Sequence, residues 1–298
     1  MSVSENSKPL ENSVKNEDGD NKENKPTGGA ATKSWKIGDF SMGKALGKGR
    51  FGHVYCAKET KSGYVVALKV MFKNQIKEAN LQHQVRREVE IQSHIKHKNI
   101  CRLYGYFHDD RRVYIILEYC KNGNLFTKLK EEKKFESVEA ARYVREIAEG
   151  LDYIHKLNVI HRDLKPENVL LGRNNEVKLA DFGWCVFTPQ SRRQTFCGTM
   201  DYLSPEMLNG VSHDKKIDHW ALGCIAFELL TGYPPFVGDK RNPTVETTRQ
   251  LIISGTIDFD SATEVSKEAR EVVDGLVQLE PADRIELVEL LKMRWLAN

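Results

Sequence analysis

Apolar positions along the chain fall into three regimes. Residues 1–34 hold four large apolar side chains, Met1, Val3, Leu10 and Val14, among Ser, Asn, Lys and Glu. Such a segment cannot bury enough surface to offset its chain entropy, so it is predicted to be disordered. From Trp35 onward short apolar runs read as strands: 40–46, a second through Tyr55 and Ala57, 65–71 and 112–119. Between the last two, a helix over about 79–95 sets Val85, Glu88, Val89 and Gln92 at i, i+3, i+4 and i+7, one inward stripe. Beyond Lys121-Asn122-Gly123, whose Asn-Gly pair marks a turn and a hinge, the pattern becomes helical. A helix over 137–156 carries the stripe Ala140, Val144, Ile147, Leu151 and Ile154. One over 217–231 is apolar nearly all round and therefore a core element, ended by Gly232 and Pro234-Pro235. Two more are predicted over 266–279 and 285–296, and no internal repeat is visible.

At 298 residues the chain is long enough for one large domain or two ordinary ones. Its composition, 40% hydrophobic and 29% charged, is that of a soluble globular protein. The net charge of +3 is too small to make nucleic acid or an anionic membrane the main partner, and neither is expected. The longest apolar run, within 217–230, carries Asp218, His219 and Glu228 and reads as a buried helix, not a membrane span. Cysteines 56, 101, 120, 185, 197 and 224 show no metal-ligand spacing. With no apolar leader at the N-terminus, a reducing cytosolic or nuclear home is expected.

Candidate chemistry concentrates in two stretches. His161-Arg162-Asp163-Leu164-Lys165-Pro166-Glu167-Asn168 offers an acid, a cation and an amide oxygen within six positions. Asp181-Phe182-Gly183 adds a second acid, and the run between them, 169–171, a turn at 172–175 and 177–180, reads as a hairpin that folds this acid back against the first. Phosphoryl transfer requires this inventory: a carboxylate to take the attacking hydroxyl's proton, a cation near the moving phosphate and oxygen ligands for magnesium. Gly47-Lys48-Gly49-Arg50-Phe51-Gly52-His53-Val54 lies between two β-patterned runs, where its glycines let backbone amides approach phosphate oxygens. A dinucleotide loop would run into a helix instead. Lys69 sits mid-strand among apolar neighbours and needs an acid partner; helical phase selects Glu88, with Glu90 turned to solvent. Backbone groups of Glu118 and Cys120, at the hinge, are free to bond a purine edge.

On these residues the chain, over about 35–296, resembles the Aurora family of serine/threonine protein kinases. The general kinase signature is present in the octapeptide, the Asp-Phe-Gly triplet, the glycine loop and Lys69. Closer to Aurora are Arg87-Glu88-Val89-Glu90-Ile91-Gln92, Arg102-Leu103-Tyr104-Gly105-Tyr106-Phe107-His108-Asp109, Trp184 after the triplet, and Ser191 to Thr199 followed by Asp201-Tyr202-Leu203. The resemblance implies an α+β, bilobal kinase fold. A five-stranded N-lobe with one main helix would cover 35–118, a hinge 119–123 and a helical C-lobe 124–298, with ATP and Mg2+ bound between the lobes. It makes Asp163 the catalytic base, Lys165 a support for the transferring phosphate, and Asn168 and Asp181 the magnesium ligands. Lys69, paired with Glu88, would position the α- and β-phosphates. Leu117 would be the gatekeeper, and Leu46, Val54, Ala67 and Leu170 the walls around adenine, with residues 47–54, Glu118, Cys120 and Glu167 completing the nucleotide site.

It also implies substrate proteins with arginine near the phosphoacceptor. Glu167 and Glu228 match two acids that clasp arginine at minus two, and Asn124 replaces a third that reads minus three. Thr199 would border the acceptor pocket. Thr195, preceded by Arg192-Arg193-Gln194, fits the same preference and is an expected autophosphorylation site, its phosphate received by Arg162. An activating scaffold or spindle protein is expected on the N-lobe, with residence in nucleus and cytoplasm and at spindle, centrosome or centromere in mitosis. Lys22-Glu23-Asn24 matches a mitotic degradation signal. Several positions depart from the family: Ser204-Pro205-Glu206 for Ala-Pro-Glu, keeping Glu206 for a buried pair with Arg284; Cys185 and Phe187 for Ser and His; and Met293-Arg294-Trp295 for His-Pro-Trp. None removes a chemical group. A pseudokinase scaffold or another basophilic kinase are the alternatives, and intact Lys69, Asp163 and Asp181 argue against the first.

Overall fold

Five antiparallel strands build the first half of a computed structural model that describes residues 35–49, 52–184, 186–187, 200–237, 244–259 and 265–297. In chain order they are β1 (Phe40–Gly49), β2 (Gly52–Glu59) and β3 (Val65–Phe72), then helices α1 (Lys73–Glu78) and α2 (Gln82–His94), then β4 (Leu103–His108) and β5 (Arg112–Glu118). The sheet order is β1-β2-β3-β5-β4. Strand side chains alternate between faces. Val66, Leu68, Val70, Tyr114 and Ile116 therefore point one way, into a core with Phe40, Ala57 and Phe107. Facing the other way, Val54 stands opposite Lys69, and Ala67 opposite Leu117, so one lysine shares its face with apolar neighbours.

The second half runs α3 (Leu125–Glu132), α4 (Ser137–Lys156), β6 (Val159–Ile160), β7 (Val169–Leu171), β8 (Val177–Leu179), β9 (Val186–Phe187), α5 (Pro205–Leu208), α6 (Lys216–Thr231), α7 (Val245–Ser254), α8 (Lys267–Leu276), α9 (Leu287–Leu290) and α10 (Arg294–Ala297). Helix α6 is buried along nearly its whole length, with α4 and α8 packed on it, as its all-round apolar pattern requires. Its end is fixed sterically: Gly232 adopts φ 86°, and a Cβ there would stand 2.3 Å from the Lys133 carbonyl oxygen. Strands β7 and β8 form the expected hairpin, with Leu170 opposite Lys178. Among the described residues no helix is long and apolar enough to cross a membrane.

Three predicted helices differ in extent. The one over 79–95 begins only at Gln82, because Asn80 takes a left-handed φ of 54° and Ala79 and Asn80 donate back to Gln75 and Lys77, closing the separate helix α1 before α2 begins. The one over 266–279 stops at Leu276, since the Gln278 and Leu279 carbonyls turn to the Arg284 guanidinium. The one over 285–296 does not start at Ile285, whose N–H donates to Gly275 O at 2.7 Å. Its residues form the short α9 and α10 instead. Residues 1–34, including Lys22-Glu23-Asn24, lie outside the described residues.

Candidate active site

The inward stripe of α2 brings Glu88 under β3. Lys69 Nζ stands 2.7 Å from Glu88 Oε1 and 3.3 Å from Asp181 Oδ1, while Glu90 is exposed. Burial alone would lower the Lys69 pKa, but the Asp181 and Glu88 carboxylates outweigh it and hold the ammonium charged well above the usual lysine range. The same ammonium depresses the Asp181 carboxyl. Asp181 itself adopts a left-handed φ of 62°, which turns the chain so that Phe182 is buried against the His161 ring. A Cβ at Gly183 would lie 3.2 Å from Glu88 Oε2, and Gln84 of α2 donates to the Gly183 carbonyl.

Asp218, buried in α6, anchors the segment carrying Asp163. It accepts the His161 N–H at 2.8 Å and the Arg162 N–H at 2.9 Å, and His155 Nε2 lies 2.8 Å from the same carboxylate. Burial opposes its ionisation, yet these donors keep its pKa below the ordinary aspartate value. Arg162 is thereby held at φ 68° and Asp163 is presented to the cleft. Lys165 Nζ lies 2.9 Å from both Asp163 carboxylate oxygens. Asn168 Nδ2 donates to Asp163 O at 2.7 Å and Oδ2 at 2.8 Å, which leaves its amide oxygen for another ligand. The hairpin returns Ala180 N–H to Asn168 O at 2.9 Å, so Asp181 follows directly beside that amide. An amide oxygen and a carboxylate together are hard oxygen donors suited to magnesium that keeps its remaining ligands from phosphate and water. Among the described residues no cluster of three His, Cys, Asp or Glu side chains could hold a metal by itself.

Above this floor, β1 and β2 pair as Gly47 with Val54, Lys48 with His53, and Gly49 with Gly52. A Cβ on Gly52 would meet the Val70 carbonyl oxygen at 1.8 Å, so only glycine fits at that point of the hairpin. Arg50 and Phe51 lie outside the described residues. Val54, Ala67 and Leu117 share the Lys69 face of the sheet, Leu46 is exposed on β1, and Leu170 bridges to Asn124 below. Along the hinge the Glu118 carboxylate pairs with Lys178 at 2.8 Å, and Gly123 takes φ 74°. Among the described residues the Cys120 N–H has no intramolecular hydrogen bond.

A second acidic group lies beside Asp163. Tyr202 donates its hydroxyl to Glu228 Oε2 at 2.6 Å, and Glu167 Oε2 is enclosed without a hydrogen-bond partner among the described residues. Burial, with Glu167 and Asp201 nearby, pushes the Glu228 carboxyl up to about 7 against the pull of the tyrosine hydrogen bond. Burial and Glu167 raise Asp201 as well. Elsewhere Arg284 grips Glu206 through two bonds of 2.6 and 2.8 Å, both groups buried, and its guanidinium lies 5.1 Å from the Trp220 ring centroid. Asn124 caps α3 by accepting the Thr127 N–H at 2.8 Å. Thr195, Thr199, Cys185 and Cys197 lie outside the described residues.

Sequence reasoning did not assign Gln84, Asp201, Tyr202 or Asp218 to the site. Asp218 left a signal, a carboxylate within an otherwise apolar helix; the others left none, since their partners are remote in sequence.

A protein kinase domain model matches residues 40–296. The chain is 47% identical to serine/threonine-protein kinase Aurora-2 of Arabidopsis thaliana over 269 residues, which cover 90% of this chain and 94% of that protein. It is 47% identical over 262 residues to an Aurora kinase of Eremothecium gossypii, covering 88% and 70% respectively. To Aurora kinase A-B of Xenopus laevis it is 48% identical over 266 residues, 89% of this chain and 64% of the relative, so the match spans less than two thirds of that protein's length.

Proposed function

This chain belongs to the Aurora family of serine/threonine protein kinases, and we propose that it transfers the γ-phosphoryl group of magnesium-ATP to Ser and Thr hydroxyls that follow arginine. The observation that carries the reading is the convergence of Lys69, Glu88, Asp181, Asn168, Lys165 and Asp163 in one cleft, joined by direct hydrogen bonds between oppositely charged and polar groups.

In this reading the Asp163 carboxylate accepts the proton as the substrate oxygen attacks phosphorus and the bond from phosphorus to the β–γ bridging oxygen breaks, releasing ADP. Lys165, already on Asp163, stays close enough to neutralise charge on the moving phosphoryl. Lys69, kept charged by its two carboxylates, binds the α- and β-phosphates. Asn168 and Asp181 supply oxygen ligands to magnesium, which offsets phosphate charge when bound. The Glu118 carbonyl and Cys120 N–H meet the adenine edge, walled by Leu46, Val54, Ala67, Leu117 and Leu170. A scaffold reading without catalysis would not require this set of charges to be arranged together.

Glu167 and Glu228 form the pocket for arginine at minus two. A guanidinium there would bond the enclosed Glu167 oxygen and draw Glu228 into its ionised form. Asn124 is neutral and committed to capping α3, which weakens selection at minus three. Thr195 is the expected autophosphorylation site, with Arg162 as receiver, and Thr199 borders the acceptor pocket. Family resemblance supports a role in mitosis at spindle, centrosome or centromere. Exposed aromatics on the N-lobe, Tyr64, Tyr104 and Tyr106, support docking of an activating protein there. The test is a peptide array with the purified chain, together with Thr195→Val. Strong dependence on arginine at minus two and loss of activation in Thr195→Val are expected. Indifference to that arginine, or a Thr195→Val as active as phosphorylated wild type, would overturn these assignments.

A further inference from the structure

The hinge hangs between two anchors, and both lie on the hairpin of β7 and β8. At its near end Glu118 closes β5 with both carboxylate oxygens engaged. Lys178 Nζ, from β8, stands 2.8 Å from Oε1, and the Arg102 N–H donates to Oε2 at 3.1 Å. The Glu118 N–H donates to Arg102 O at 2.8 Å. The Cys101 thiol lies 3.7 Å from the Glu118 carbonyl oxygen, a weak donor to an atom with two lone pairs. At the far end the Asn122 N–H donates to Leu171 O at 3.2 Å and the Leu171 N–H to Gly123 O at 2.9 Å, which ties that end to β7.

The hairpin is itself held firmly. Leu179, next to Lys178, donates its N–H to Asn99 O at 2.8 Å and accepts the Cys101 N–H at 2.9 Å, and Asn99 Nδ2 reaches Val177 O at 3.2 Å. Lys178 stands opposite Leu170, so the two side chains leave the same face of the hairpin. One short hairpin therefore carries the lysine that grips the hinge, a wall of the purine site and, just beyond its end, Asp181.

An ion pair that only adds stability would be the plainer explanation. Such pairs contribute little when two loose side chains meet in solvent. Here the side chains of Lys178 and Glu118 keep only 12% and 22% of their exposure, and the carboxylate belongs to the residue whose carbonyl faces the purine edge. We propose that Lys178 is a positioning residue for purine selection: its hold on the Glu118 carboxylate fixes the direction of the Glu118 carbonyl, and with it the preference for adenine over guanine nucleotides. This rests on the reading of the hinge as the purine-binding segment.

Adenine presents its N6 amino donor where guanine presents its O6 acceptor. A fixed carbonyl acceptor at Glu118 matches the first and sets acceptor against acceptor with the second, and a site built around such a bond discriminates strongly. Without Lys178, the Glu118 carboxylate keeps only the Arg102 N–H, and the peptide plane that follows gains freedom to turn. Adenine then loses part of its advantage, while guanine loses no bond. Lys178 acts through Glu118 and not on the reacting atoms, so the effect falls on purine binding and not on the transfer step.

The experiment measures kcat and KM for magnesium-ATP and magnesium-GTP on the full chain, with a peptide carrying arginine at minus two, and follows thermal unfolding of each variant. Lys178→Met is expected to raise the ATP KM several-fold with kcat nearly kept, and to lower the ratio of kcat/KM for ATP over GTP several-fold. Lys178→Arg, whose cation still meets the carboxylate, should restore the ratio. Glu118→Gln, which removes the charge that Lys178 holds, should lower it as Lys178→Met does, so the outcome does not hang on one variant folding. A lower unfolding temperature with an unchanged ATP-to-GTP ratio would show a stabilising pair alone and overturn the proposal, as would a loss confined to kcat. A wild-type chain that uses neither nucleotide overturns the kinase reading and this inference with it. A wild type that prefers ATP beside a Lys178→Met that prefers it equally overturns this inference alone.

Discussion

Lys69 and Glu88 form a partly buried ion pair at 2.7 Å across the space between a strand and a helix, with Asp181 3.3 Å from the same ammonium. One cation thus holds two carboxylates that would otherwise repel each other. Lys69→Met should therefore do more than remove a phosphate contact, since it leaves Glu88 and Asp181 facing without a counter-charge. Peptide phosphorylation is expected to fall by orders of magnitude. Glu88→Gln, which keeps the shape but not the charge, is expected to fall less. Steady-state assays at saturating ATP compare the two, and equal activities would contradict the arrangement.

Substrate affinity should depend on pH through Glu228. Its carboxyl is pushed up to about 7 in the free protein, so it is largely protonated at mildly acid pH. A bound guanidinium favours the ionised form, hence binding releases a proton and tightens as pH rises through about 7. The KM for a peptide with arginine at minus two should fall between about pH 6 and pH 8. Glu228→Gln should weaken binding overall and flatten that profile. Stability runs the opposite way. A carboxyl whose folded pKa exceeds the unfolded value of 4.5 contributes most below 4.5, and that contribution is lost as pH rises towards about 7.

Removing one partner of the Glu206–Arg284 pair leaves a buried charge without its counter-ion. Glu206→Gln should lower the unfolding free energy by about 3–5 kcal/mol. Denaturant unfolding measures it, and a loss near that of an exposed pair, below about 1 kcal/mol, would contradict the burial of this contact.

His219 is a second pH-linked group. Burial first, then His155 beside it, pushes its pKa down to about 4 despite the bond from Nδ1 to the Ile285 carbonyl. The folded state therefore binds fewer protons than the unfolded state, and stability is lost as pH falls from 6.5 towards about 4. The slope contributed approaches about 1.4 kcal/mol per pH unit. Thermal unfolding at several pH values should show a shallower acid limb for His219→Phe, and an unchanged limb would remove His219 from the explanation.

Much of this architecture was legible along the chain because period carries geometry. Helical phase alone separated Glu88 from Glu90, and the all-round apolar pattern of 217–231 marked the core helix. Local exceptions were not legible. Asn80 stops a helix through a left-handed φ that the apolar pattern does not encode, and Ile285 is drawn out of its predicted helix by a carbonyl on α8. The Gln84 bond to Gly183 spans 99 residues, and the Tyr202 bond to Glu228 joins a polar stretch to a buried helix face. Neither pairing has any local signature, because each depends on how the hairpin and α6 come together.

The central claim is that Asp163 takes the proton while the rest of the cleft binds nucleotide, and Asp163→Asn separates these parts. The substitution keeps size and one oxygen that can accept from Lys165 and Asn168, while removing the charge and the proton acceptor. Single-turnover phosphorylation of an arginine-directed peptide, with nucleotide affinity measured on the same preparation, reads both. The expected result is a turnover lower by orders of magnitude with nucleotide affinity nearly unchanged. Near-normal phosphoryl transfer by Asp163→Asn would contradict the assignment of the base.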